Sequence, residues 1–352
     1  MRKYYTRACN FFYGSISRKL VQKKFTLPVC GNPSISFNQI EIFTREKNKV
    51  NSKIIEIENI SKLPKLIQKK VSKDIKKITS NREFLKKKNH FIMGILNMTP
   101  DSFSDGGKYN SFKKASQKIQ EMVKSGADII DVGGESTRPG SKIIRPKIEL
   151  QRVKKVVEKF KKKFPKSLLS IDTRKSLVMN FSMKYNVDII NDVSCFEFDP
   201  KSFDNIKNKK IWKIIHHMQG TPQTMQLNPS YKHVLLDIYD FFEKKIKKFK
   251  NTKHHKKLIL DPGIGFGKNL KHNLMILDKI SLFHSLGFPI LIGTSRKRFI
   301  NQISGKYDTN ERIGGTLSSI IYSFSQGIKI FRVHNVAEVK QGLLVFETLL
   351  NK

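Results

Sequence analysis

Residues 91–107, FIMGILNMTPDSFSDGG, join a short apolar run to a polar, glycine-rich loop, and the same junction recurs down the chain at 128–138, DIIDVGGESTR, and at 258–267, LILDPGIGFG. Each run is only three to six residues long and rich in Ile, Leu and Val, which reads as a strand buried on both faces. Eight such runs are expected, at 91–96, 128–132, 168–171, 187–190, 211–215, 258–260, 289–292 and 328–333. Most are separated by helical patterns. Leu150, Val153, Val156, Val157 and Phe160 keep the three-and-four spacing of a buried stripe, and Leu274, Leu277, Leu282 and Leu286 keep it less regularly. Eight strand–helix units in about 260 residues match the size of a TIM (β/α)8 barrel, which places its chemistry at the C-terminal ends of its strands.

Polar residues fall at those ends. Asn97 closes the first run; Glu135, Ser136, Thr137 and Arg138 follow the second, Asp172 the third, and Asn191 and Asp192 the fourth. His216 and His217, Asp261, then Ser295, Arg296 and Lys297, and finally Arg332 and His334 complete a ring around one mouth. Upstream of about His90 the rhythm changes to Lys-rich, Gly-poor sequence. Strands are expected at 36–43 and 54–60 and a basic helix at 65–88, so the chain divides into a small α+β accessory region, 1–89, and the barrel, 90–352.

The 352 residues carry 68 Lys and Arg against 29 Asp and Glu, a net charge of +39. Residues 1–90 hold 22 of the basic and 6 of the acidic residues, so the excess is spread along the chain rather than gathered in a stripe. A solvated lysine coat explains it better than a nucleic-acid surface, and no specific nucleic acid is expected as a partner. Cys9, Cys30 and Cys195 have neither metal-ligand nor disulfide spacing, which suits a reducing cytoplasm. No apolar run is long enough to span a membrane. The first two dozen residues are basic and lack acids, as an organelle import signal would be, yet Tyr4, Tyr5, Phe11, Phe12 and Tyr13 look like packing residues.

Asp172, Asn191, Asp261 and Lys297 suit a flat heterocycle with several donors and acceptors along one edge, such as a pterin. The bland alternative, that Asp172 and Asp261 only cap the following helices, weakens when both stand in one ring. Gly263, Gly265 and Gly267 have the wrong spacing for a dinucleotide fingerprint and read instead as tight turns that let Phe266 offer its face to a ligand. Asn97, Thr137, Arg138, Arg332 and His334 would supply neutral and cationic donors to phosphate oxygens. Asn97 also has an oxygen suited to Mg2+, with Asp101 and Asp105 within the adjoining loop. The loops at 98–110 and 133–147 have the composition of lids.

The blocks GILNMTPDSFSDGG, DVGGESTRPGS, SIDTRK, IINDVS, HHMQGTPQTM, LDPGIGFGKN, GTSRKRF and RVHNV, in this order, resemble the signature blocks of the dihydropteroate synthases from about Phe91 to the C-terminus. That resemblance implies a TIM barrel, commonly a homodimer, which condenses 6-hydroxymethyl-7,8-dihydropterin pyrophosphate with p-aminobenzoate using Mg2+. It implies Asn97 as the metal ligand and Asp172, Asn191, Asp261 and Lys297 as the pterin set. Thr137, Arg332, Val333 and His334 would complete the contacts to the pterin diphosphate. Phe103, Arg138, Pro139 and Phe266 would close over p-aminobenzoate and pyrophosphate, and Arg138, Lys297, Arg332 and His334 would act in catalysis. Two departures stand out: Met98 in place of the usual Val, and His216 where an apolar residue is more common. The nearest rivals are a pterin-dependent methyltransfer barrel and a non-catalytic nucleic-acid-binding protein.

Overall fold

The computed structural model describes residues 2–85, 88–99, 108–138, 140–305 and 308–351. Phe103, Asp101, Asp105 and Pro139 lie outside the described residues.

The N-terminal region is an antiparallel sheet with two helices. β1 (Arg2–Tyr13) leads into α1 (Gly14–Gln22), β2 (Leu27–Val29), β3 (Asn32–Glu46), β4 (Lys49–Glu56) and α2 (Lys65–Thr79). β3 is central, pairing with β1 along one side and with β4 and β2 along the other. Ala8, Phe37, Ile40 and Ile42 pack beneath Val71 and Ile78 of α2 as a small core. Three features depart from the sequence expectation. Residues 2–22 form β1 and α1; the strand expected at 54–60 is β4 at Lys49–Glu56, followed by a 3-10 turn at Ile57–Lys62; and α2 stops at Thr79 instead of running to 88. Arg82 explains the stop: its guanidinium donates to the oxygens of Lys77 (2.5 Å) and Ser80 (2.8 Å), taking up carbonyls that a longer helix would have used.

The barrel follows. Its strands are β5 (Phe91–Asn97), β6 (Ile129–Gly133), β7 (Leu168–Asp172), β8 (Ile189–Asp192), β9 (Trp212–His216), β10 (Leu258–Asp261), β11 (Leu291–Ile292) and β12 (Ile330–Val333). Between and after them run α3 (Lys108–Lys124), α4 (Pro146–Lys163), α5 (Ser176–Lys184), α6 (Ser202–Ile206), α7 (Val234–Phe249), α8 (Leu270–Asp278), α9 (Arg298–Ser304), α10 (Ile313–Phe324) and α11 (Val336–Leu350). All eight strands are parallel in the order β10-β9-β8-β7-β6-β5-β12-β11, and a bridge between Leu260 and Ile290 joins the two edges into a nearly closed barrel. The helical stripe expected from Leu274 to Leu286 is broken: α8 ends at Asp278, a 3-10 segment spans 280–286, and Leu274 is exposed.

Side chains alternate between faces along a strand. The outward set, including Ile92, Ile130, Ile171, Ile190, Ile215, Leu260 and Phe331, packs under the helices. The inward set is apolar at the lower end of the barrel, where Met93, Ile129, Ile189, Ile214, Ile259, Leu291 and Ile330 meet. One pleat higher, the same inward face carries Asp131, Asn191, His216, Asp261 and Arg332. The strand period alone thus delivers polar groups to the upper mouth.

The N-terminal sheet is seated on the outside of the barrel. Tyr5 and Phe43 enter the main core, and Tyr5 Oη donates to Asp240 of α7 at 3.0 Å. Arg45 pairs with Asp237 (2.5 Å) and Asp240 (3.0 Å), while buried Glu41 pairs with Lys279 (2.6 Å) and Arg7 (2.9 Å).

Candidate active site

Two adjoining cavities open at the upper mouth. The larger, of about 880 Å3, is bounded by Asn97, Thr137, Arg138, Asp172, Phe266, Lys297, Arg332 and His334 among others. The smaller chamber, of about 60 Å3, reaches deeper and touches Asn191, His216, Asp261 and Val193 as well as Asp172, Lys297 and Arg332. Ten of the residues expected from the sequence therefore meet at one place. Val333 does not line either cavity: the alternation that turns Arg332 and His334 inward sends Val333 into the outer core, where it is fully buried.

A charged lattice underlies the chamber. Arg332 donates from Nε to Asp131 Oδ2 and from a terminal nitrogen to Asp172 Oδ2, both at 2.7 Å, and Asn191 Nδ2 donates to the same Asp131 oxygen at 3.1 Å. Burial pushes the Asp172 carboxyl up to about 7 against the pull of Arg332, with Asp131 adding repulsion. Asp131 was absent from the sequence reading, although an acid two residues after Ile129 in an otherwise apolar strand was the available signal. Asp131 Oδ1 and Asn191 Oδ1 are buried acceptors with no partner among the described residues. Such atoms cost about 1–3 kcal/mol each unless a donor reaches them.

The alternative reading of Asp172 and Asp261 as helix caps does not hold. Asp261 Oδ1 accepts from the Gly263 amide at 2.8 Å inside a turn, and α8 is capped by Asn269 instead. Asp172 sits three residues before the N-cap of α5, Lys175, and spends its oxygen on Arg332.

The glycine-rich turn after β10 is built by close approach. Gly263 has φ +68°, and a Cβ there would stand 2.0 Å from the His217 carbonyl oxygen, so no side chain is tolerated. Lys268, also missed from the sequence, ties the turn down: its buried Nζ lies within 3.0 Å of Gly263 O, Phe266 O and His217 Nδ1. Burial lowers this ammonium to about 7. Phe266 is thereby fixed as a wall, with Lys297 Nζ 4.1 Å from its ring centroid. Burial and the neighbouring Arg332 bring Lys297 down to about 8.

At the other side of the mouth, His334 Nδ1 lies 3.1 Å from Ser295 Oγ, which also accepts from the His334 amide at 3.2 Å. Its pKa falls to about 3, through burial first and then the approach of Arg332, Arg296, Lys297 and Arg138. Four cations converging on one imidazole define a site for anions.

The 134–145 loop holds Thr137 and Arg138 over this end. Glu135 anchors it: buried at the loop base, it accepts from Arg174 (2.8 Å), Lys175 (2.9 Å) and the Ile144 amide (3.1 Å), and Lys175 also pairs with Glu149 (2.6 Å). The tip crosses to the loop after β9, where Gln223 donates to Ser141 O (2.8 Å) and Gly140 N to Pro222 O (3.2 Å).

A family model described as pterin binding enzyme matches residues 93–334. The dihydropteroate synthase of Escherichia coli strain K12 is 41% identical over 261 residues, covering 74% of this chain and 92% of that protein. The structure of Yersinia pestis dihydropteroate synthase with a sulfonamide drug complex superposes with a TM-score of 0.69 at 38% identity, covering 74% of this chain and 94% of that one. The Xanthomonas albilineans dihydropteroate synthase solved with 4-aminobenzoic acid gives 0.68 at 32% identity, covering 74% and 93%.

Proposed function

Because this chain belongs to the dihydropteroate synthases of the pterin-binding enzyme family, we infer that its barrel mouth is where it condenses 6-hydroxymethyl-7,8-dihydropterin pyrophosphate with p-aminobenzoate, giving 7,8-dihydropteroate and pyrophosphate. The observation that carries the residue assignment is the coincidence, in one small chamber, of the ionisable acceptors Asp172 and Asp261, the unpartnered buried amide oxygen of Asn191, and a cationic donor, Lys297, beside an aromatic wall.

Asp172, Asn191 and Asp261 accept from the amino and ring N–H groups of the pterin, and Lys297 donates to its carbonyl side. Phe266 lies against the ring face. Thr137, Arg138, Arg332 and His334 take the diphosphate at the cationic end, where preorganised donors stabilise the charge that grows on the leaving group. The bond from the pterin methylene to oxygen lengthens, pyrophosphate departs, and the aniline nitrogen of p-aminobenzoate attacks the methylene and then gives up its proton. Phe103 and Pro139 belong to the proposed p-aminobenzoate lid by sequence. No covalent nucleophile is needed, and sulfonamides, as p-aminobenzoate mimics, compete at this end of the cavity.

Among the described residues no three His, Cys, Asp or Glu side chains gather as a metal site. Asn97, beside Thr99 on the cavity wall, offers a neutral oxygen, which fits an ion such as Mg2+ that keeps its waters and takes further ligands from phosphate. When bound there, the ion neutralises charge on the departing pyrophosphate.

We further propose a homodimer, supported by apolar side chains exposed on the mutually packed helices α8 to α11: Leu274, Met275, Ile303, Tyr322, Val345 and Leu349. Among the described residues no helix is long and apolar enough to cross a membrane. A cytoplasmic site of action and the absence of a specific nucleic-acid partner remain part of the proposal, with the lysines acting as a solvated coat.

The deciding experiment follows radiolabelled p-aminobenzoate into dihydropteroate in the presence of Mg2+ and pterin pyrophosphate. A preparation that makes no product yet binds methyltetrahydrofolate belongs with the methyltransfer barrels instead.

A further inference from the structure

We propose that His216 is a positioning residue that aims the Asp261 carboxylate at the pterin, an inference that rests on the function assigned above. His216 is the last residue of β9 and stands directly across the sheet from Asp261, the last residue of β10. In a parallel pair both side chains then share a face, and here that face is the chamber.

The contact is direct. His216 Nδ1 lies 3.2 Å from Asp261 Oδ2, while the Gly263 amide donates to Asp261 Oδ1 at 2.8 Å. With its proton on Nδ1 the imidazole donates, so each carboxylate oxygen has one fixed donor and the group cannot rotate. Each oxygen keeps a second lone pair for a ligand N–H. Without the imidazole, Asp261 would hang on one amide and could turn away from the chamber.

The ring does a second job. It packs in a T-shaped pair with Phe266, the centroids 4.6 Å apart at an interplanar angle of 83°, and Lys297 sits over the same Phe266. His216 therefore touches two of the groups assigned to the pterin and, through Phe266, bears on a third. Both His216 and Asp261 are buried. Burial lowers the imidazole pKa, which keeps it neutral near pH 7. The Asp261 carboxyl stays below its usual range because His216, the Gly263 amide and Lys297 outweigh burial, so the pair is a neutral donor on an ionised acceptor. His216 Nε2 is buried without a partner among the described residues, as a lone pair and not an N–H would be when the proton is on Nδ1. An apolar side chain of similar size would fill the space but supply no donor.

The test compares wild type, His216→Met and His216→Asn in the full chain, reading kcat, the KM for pterin pyrophosphate, the KM for p-aminobenzoate and the melting temperature. The Met variant is expected to raise the pterin pyrophosphate KM about tenfold, the cost of one hydrogen bond to a buried charge, with the p-aminobenzoate KM within about twofold. The Asn amide N–H stands about where Nδ1–H does, so His216→Asn should recover to within about threefold of wild type. A folded Met variant with wild-type pterin KM overturns the proposal. So does a folded Asn variant whose pterin KM rises tenfold or more, which stands as a test even where the Met variant does not fold. A melting temperature and both KM values that shift together, without rescue by Asn, mark a structural role and overturn it too. If wild type itself neither binds nor turns over the pterin, the functional reading falls and this proposal with it.

Discussion

The two ends of the barrel are built from the same eight strands and differ in almost every physical respect. The lower end is sealed by Phe84, whose ring meets Phe91 at 5.0 Å and Trp212 at 4.9 Å, over an apolar layer that includes Ile129, Ile214 and Leu291. The upper end holds one guanidinium shared by two carboxylates, a buried lysine, and acceptors left without partners. Burial at the lower end gains free energy, whereas burial of charge at the upper end costs it unless every group is paired. The barrel thus keeps stability and chemistry at opposite ends of its strands, and substitutions at the two ends should fail in different ways.

The largest effect is expected at Arg332. Replacing it with Leu leaves Asp131 and Asp172 buried beside one another without their shared counter-ion, a loss of about 3–5 kcal/mol. kcat/KM should fall by roughly a thousandfold or more. A fall of less than tenfold in steady-state assays would mean that the lattice does not serve the reaction. At the other end, Phe84→Ala removes the plug and should cost about 3 kcal/mol of stability in denaturant unfolding while both KM values stay put. A pterin KM that rises with it would break the separation of the two ends.

Asp261→Ala comes next in size. Calorimetric titration with pterin pyrophosphate and Mg2+ should show affinity reduced about a hundredfold, since a charged acceptor is lost from a buried site. Equal affinity in both proteins would remove Asp261 from the pterin site.

How much of this contrast was legible in the sequence follows from where each signal resides. The eight strands and the ring at their ends were readable because apolar runs and the polar residues that stop them are local. Asp131 was passed over because it lies inside a strand, and its meaning depends on Arg332, which is 201 residues away. Lys268 looks like one more lysine in a lysine-rich chain; only the fold turns its ammonium onto three backbone carbonyls. β1 escaped notice for a similar reason. Its partner strand is tens of residues downstream, and its apolar residues pack partly on the barrel and not on their own neighbours. The end of α2 was set by Arg82, not by any helix-stop residue within the lysine run.

A smaller effect concerns pH. Asp172 must be ionised to accept from the pterin, so with a carboxyl near 7 activity rises as pH increases through that value. Lys297 must be protonated to donate, so with an ammonium near 8 activity falls as pH rises past it. The kcat/KM profile for pterin pyrophosphate should be a narrow bell between these limbs, and Lys297→Arg, whose side chain stays charged, should lose the alkaline limb. A flat profile from pH 6 to 9 would assign both groups the wrong state.

The finest distinction is between two histidines of the upper half. His334 and His217 both have depressed pKa values, and burial is the first cause in each. The next causes differ: for His334 they are Arg332, Arg296, Lys297 and Arg138, which bound or adjoin the large cavity, and for His217 they are Lys268 and His216, beneath the glycine-rich turn. An anion held among the first group adds negative charge next to His334 and favours its imidazolium, so its pKa must rise; His217, tucked behind Lys268, should hardly respond. Histidine NMR at about pH 4 should therefore show His334 mostly neutral alone and about half imidazolium on addition of pyrophosphate, a shift of roughly one unit or 1.4 kcal/mol, with His217 unchanged. If His217 moves and His334 does not, the diphosphate end of the cavity has been placed on the wrong side of the mouth.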